Sequence, residues 1–140
     1  MKLSEAIRFG EFALSPVKGH GWFDFKEGAD TPCGGCAVGR MLYAMGYKPT
    51  ARWEQWKPMT DFVETLWPWT RIKCTIAPPN TRAGECLGIY HSRLHILNRI
   101  SDLYEGDNWS MTQIADWVAT IEPQDVATIE PIMESQCVSR

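Results

Sequence analysis

Four side chains in this sequence have the types and spacing to act together on one ion. Cys33 and Cys36 bracket two glycines in the run CGGC. His91 and His95 stand four residues apart in a segment with helical hydrophobic spacing. A Cys-x2-Cys turn lets two thiolates reach one tetrahedral ion, and histidines at i and i+4 of a helix converge, about 6 Å apart along its axis. Cys33, Cys36, His91 and His95 are therefore the candidate metal ligands, with zinc as the metal. Residues 37–90 separate the two pairs, whereas a compact finger uses a far shorter spacer, so the fold has to bring them together. Cys74 and Cys86 offer a different second pair. The plainer reading makes Cys36 a small buried residue opening an apolar helix, with both histidines hydrogen-bonded to Asp102, Glu105 or carbonyls.

The same CGGC run suggests a second chemistry. A cysteine at a helix N-terminus has its thiolate favoured by the helix dipole, which is the basis of a thiol redox enzyme. Such a site follows a β-strand in an α/β domain. Here the motif follows a glycine-rich stretch in a chain that reads as mostly helical. No phosphate loop, paired catalytic carboxylates or nucleophile triad stands out, so no catalytic or cofactor-binding residue is assigned and the reading leans against an enzyme. A third chemistry, DNA binding, is suggested by SMTQIADW, which has the form of the first part of a helix-turn-helix. The recognition helix that should follow is replaced by VATIEPQDVATIEP, whose Glu122, Asp125 and Glu130 would repel phosphate.

The elements that must position these residues follow from hydrophobic periodicity. A first helix starts at Ser4 as N-cap, places Leu3, Ile7, Gly10 and Leu14 on one face flanked by Phe9 and Phe12, and stops at Pro16. Residues 15–32 form a glycine-rich packed connector. A second helix, about 35–45, buries Val38, Met41, Leu42 and Met45 and ends at Gly46. Thr60 begins a short helix that halts before Pro68, in a region holding Trp53, Trp56, Trp67 and Trp69. One short strand fits residues 72–76. The helix 87–105 has two apolar faces, Leu87, Tyr90, Leu94, Leu97 and Tyr104 against Ile89, Ile96, Ile100 and Leu103, which places it at the centre of a bundle. Ser110 and Gln113 form a capping box, with Trp109 and Ile114 as the staple, for a last long helix burying Ile114, Trp117, Val118 and Ile121. VATIEP at 118–123 recurs at 126–131, a local duplication.

The fold class expected is mainly α: a compact bundle of about five helices in one domain, 1–140, with a long Gly/Pro-rich loop. The chain length of 140 residues suffices for a core, and 44% hydrophobic with 22% charged residues excludes a disordered tail or a rod. A net charge of -3 gives no basic field for nucleic acid or anionic lipid, so nucleic acid and membrane are not expected partners. Glu5, Arg8 and Glu11 interrupt any apolar leader, and no apolar run spans a bilayer. Five cysteines, an odd number in a chain read as cytoplasmic, fit free thiols or a metal site better than a disulfide framework.

MKLSEAIRFG, the stretch PVKGHG at 16–21, the helix CAVGRMLYAMG and the closing WSMTQIADWVATIEP together resemble a family of small bacterial and phage helical proteins to which no activity is assigned. The resemblance implies a helical fold and a cytoplasmic setting. The family's CPxC and histidine-bearing helix imply a small metal knuckle. This chain differs there, with Asp102 and Asp107 where histidines would stand and eleven residues between Cys74 and Cys86. The function expected is a small intracellular interaction or regulatory protein, phage-encoded, that acts by binding another protein, its tryptophans and methionines supplying anchors or core. The alternatives are a zinc-stabilised module with nucleic-acid contact and a thiol redox enzyme using CGGC.

Overall fold

The computed structural model describes residues 1–19, 21–49, 55–71, 78, 81 and 95–123. Among them are five α-helices and a small three-stranded sheet, so the mainly α expectation holds. The helices are α1 (Leu3–Gly10), α2 (Ala37–Ala44), α3 (Trp56–Leu66), α4 (Ile96–Glu105) and α5 (Met111–Ile121), with a 3-10 turn at Pro68–Arg71. The strands are β1 (Ser15–Pro16), β2 (Phe23–Asp24) and β3 (Gly34–Gly35).

The stretch read as a glycine-rich connector folds into this sheet. β3 lies in the middle, parallel to β1 and antiparallel to β2. Pro16 has no N–H, but it occupies an edge strand, and its neighbours Ser15 and Val17 donate to Cys33 and Gly35 instead. On the other side Cys33 and Cys36 donate to the carbonyls of Asp24 and Trp22, at 2.8 and 3.2 Å. Strands this short leave no hydrophobic alternation to detect, which is why periodicity misses them.

Helix α2 follows β3 directly and is buried along its first six residues, Ala37–Leu42. Its close fit against the sheet needs glycine. A Cβ on Gly39 would stand 1.8 Å from the carbonyl oxygen of Trp22, and one on Gly35 would stand 2.8 Å from the same atom. The helix ends as its sequence implies, with Gly46 in the left-handed region at φ 94°.

Helix α1 packs on α2 and α5 through Leu3, Ala6, Ile7 and Gly10, one face at i, i+3, i+4 and i+7. Lys2, and not Ser4, is its N-cap, with the Lys2 N–H donating to the Glu5 carboxylate at 2.6 Å. Ser4 is turned inward. Its N–H donates to Glu122 at 3.0 Å and its hydroxyl donates to the same carboxylate. Glu122 follows the end of α5 and is buried, so the last described helix supplies the anion at the positive end of the first.

Helix α3 begins at Trp56 behind Gln55, a full turn before Thr60, with Pro58 tolerated in the first turn. Aromatic contacts hold it in place: Trp56 lies 5.0 Å from Trp22, and Tyr47 stacks on Phe23 and meets Phe62 edge-on at 5.3 Å. Helix α4 is enclosed on both flanks, with Ile96, Leu97, Ile100 and Leu103 fully buried together with Arg99. It begins at Ile96 behind His95, nine residues after the start expected at 87, because the His95 backbone is extended at ψ 162°. Helix α5 has the expected capping box, Ser110 with Gln113. The strand expected at 72–76, residues 87–94 and the second VATIEP copy lie outside the described residues.

Since Trp22's carbonyl is backbone and cannot swing aside, Gly39→Ala should destabilise the fold by about 3 kcal/mol, the upper end of overpacking costs. Urea unfolding followed by circular dichroism measures this, and a change below about 0.5 kcal/mol would mean that the sheet does not press on α2.

Candidate functional site

The CGGC run is extended at its centre. Its two glycines are strand β3, and the cysteines end in different surroundings. Extended backbone sends side chains three positions apart to opposite sides. Cys33 is half-buried, and its thiol donates to the carbonyl of Asp24 at 3.4 Å. Cys36 is buried as the N-cap of α2 and lines a cleft of about 290 Å³ with Gly19, Gly21, Trp22, Ser101 and Glu105. Both thiols are free.

The expected activation of a thiolate by the α2 N-terminus is overturned by burial. Removal from water pushes the Cys36 thiol up to about 11, against the opposing effect of the Gly39 and Val38 backbone N–H groups. Cys36 is therefore a neutral thiol near pH 7. The carboxylate above it, Glu105, accepts the Gly19 N–H at 3.1 Å, which ties the glycine-rich segment to the end of α4. Gly19 and Gly21 adopt φ values of 75° and 80°, a conformation open to glycine and strained for other residues.

His95 has a structural task. Its Nδ1 accepts the Leu97 N–H at 3.2 Å, which caps α4. An accepting Nδ1 is unprotonated, so the neutral ring carries its proton on Nε2. Nε2 faces Glu64 Oε2 at 3.6 Å, while the ring meets Trp56 edge-on. Burial lowers the His95 pKa from its ordinary 6.5, and Glu64 acts the other way. His95 precedes α4 as its N-cap and is not within that helix. His91 lies outside the described residues. Among the described residues no group of three or more His, Cys, Asp or Glu is placed to hold a metal ion.

Two features escape the sequence reading. Arg40 sits among apolar residues in AVGRMLYA and is 4% exposed. It donates from Nη2 to the Glu11 carbonyl at 2.6 Å and hydrogen-bonds the Tyr104 hydroxyl. A charged residue in so apolar a run is the signal that marks it. The other is the surface at the C-terminal end of α1. Phe12 is 85% exposed and Phe9 58%, whereas Trp67 is buried and Trp22, Trp56, Trp69, Trp109 and Trp117 are packed against the core. Among the described residues the tryptophans thus serve the core, and two phenylalanines off the Leu3–Ile7 stripe are the large exposed aromatics.

No family model, curated protein or solved structure matches this chain.

The His95 arrangement gives a pH dependence with a definite sign. The folded ring resists the proton that the unfolded chain takes up below about pH 6.5, so stability falls as pH drops from 7 toward 5. His95→Asn keeps a capping acceptor without the titration. Its melting temperature should fall less over this window than that of the unsubstituted protein; equal losses would remove His95 as the cause.

Proposed function

We propose that this chain is a small interaction protein that binds another protein through the surface formed by the last turn of α1 and the turn that follows it. The observation that carries this reading is the exposure of two large aromatic side chains three residues apart, Phe9 at the end of α1 and Phe12 in the turn bonded back to it. Exposed rings of this kind are costly to leave in water and serve as anchors when covered. Around them stand charged groups: Glu5 and Glu11 on the same stretch, and the ion pair between Arg8 and Asp116. An apolar centre within a charged rim is the anatomy of a protein contact surface. The helix carrying it is rigidly based, since its opposite face is clamped between α2 and α5 and its first turn is tied to Glu122.

No helix among the described residues is long and apolar enough to cross a membrane. A cytoplasmic setting and a phage or bacterial regulatory role rest on the resemblance of the LSEAIR start and the WSMTQIADWV segment. The net charge of -3 supports a protein partner over nucleic acid.

Incorporating a photo-reactive phenylalanine analogue at position 12, and at the exposed position 26 as control, tests this reading in cells. The expected result is an adduct with a different polypeptide from position 12 alone, abolished by Phe9→Ser. That substitution should change stability by no more than about 0.5 kcal/mol, as for other surface positions. No adduct, or adducts only between copies of this chain, would overturn the proposal.

A further inference from the structure

A second cleft, of about 320 Å³, lies where the end of β1, α2, the end of α4 and the start of α5 meet. Two cations reach it from different elements. Arg40 comes from α2 and is 4% exposed. Its guanidinium has acceptors in the Glu11 carbonyl and the Tyr104 hydroxyl, but its buried Nε has none. Buried N–H groups without acceptors are rare in proteins, and a guanidinium fork is shaped to meet a planar pair of oxygens. Lys18 comes from the segment after β1. Its Nζ stands 5.0 Å from the Tyr104 ring centre and hydrogen-bonds the Asn108 side-chain oxygen. Asn108 is held at φ 60°, in the turn that leads into α5.

The remaining lining fixes the class of ligand. Glu11 contributes a carboxylate, so two cations against one anion leave a single positive charge in excess. Glu105, the nearest further acid on α4, is engaged with the Gly19 N–H. Ser110 stands at the opening of α5, where the helix dipole also favours an anion. Pro16, Trp109 and Met111 add apolar walls. A volume near 300 Å³ is at the small end of ligand pockets.

We propose that this cleft binds a small monocarboxylate that carries an apolar, ring-sized group. The carboxylate lies between Arg40 and Lys18, and the apolar group lies against Trp109 and Met111. A doubly charged phosphate fits less well, because one positive charge in excess cannot balance it. This site is separate from the Phe9–Phe12 face and does not depend on it.

The test is a titration of the full chain with sodium benzoate at constant ionic strength, followed by amide and indole NMR shifts. The Trp109 indole and Ser110 amide should shift saturably, with a dissociation constant of about 1 mM or tighter. Lys18→Gln, at an exposed side chain, should weaken binding by about tenfold with the spectrum otherwise unchanged. Benzamide, which lacks the charge, should bind at least about tenfold more weakly than benzoate. Shifts that stay linear, an equal response to benzamide, tighter binding of inorganic phosphate, or unchanged affinity in Lys18→Gln would each overturn the proposal. Arg40→Lys is a second variant, and unfolding of it would leave the Lys18 result to decide.

Discussion

The carbonyl of Trp22 occupies the space that a side chain on Gly39 would need, and the rest of the structure is arranged around that contact. It lets the sheet lie directly on the first turn of α2, and Trp22 O also accepts the Cys36 N–H at the start of that helix. One backbone atom therefore joins β2 to both β3 and α2. Helix α2 is then the element against which α1, α4 and two of the strands pack. Side chains dependent on this arrangement include Cys36, whose burial keeps its thiol protonated, and Arg40, one turn further along the same helix.

A second constraint closes the chain on itself. Glu122, just beyond α5, reaches the first turn of α1 and accepts from both the backbone and the hydroxyl of Ser4. Hydrogen bonds to a charged acceptor are worth roughly twice neutral ones. The same turn that receives Glu122 presents no apolar residue outward, and the aromatic pair lies at the far end, Phe9 in the last turn of α1 and Phe12 in the turn that follows it. A helix fixed on its inner face and at its first turn can present two rings to water without the rings folding back into the core.

How much of this the sequence discloses depends on the range over which each interaction acts. The capping box at Ser110 and Gln113 and the stop at Gly46 are local patterns that stand in the structure as read, and the part of the two-faced helix within the described residues, Ile96–Glu105, is buried on both sides. Ser4 has the residue type of an N-cap but is recruited by Glu122, which no local rule reveals. The start of α4 shifts because His95 itself supplies the cap, a task that histidine's residue type does not advertise. The CGGC run reads as a turn because glycine pairs usually make turns; here they allow close backbone approach in a strand. Of the four metal candidates, Cys33 and Cys36 lie in separate surroundings, His95 caps a helix and His91 is outside the described residues. Phe9 and Phe12 flank the buried stripe in the sequence, but their exposure depends on α1 ending at Gly10, and the cleft around Arg40 requires four elements to meet and has no linear signature.

Residues 15–19 and 21–36, despite their glycines and prolines, form part of the cooperative core through Trp22. Native-state amide hydrogen exchange tests it most directly. The Cys33 and Cys36 amides, bonded to Asp24 and Trp22, should exchange as slowly as the buried amides of α2, only through global unfolding. Exchange of those two amides at the rate of an open loop, while α2 stays protected, would contradict the account.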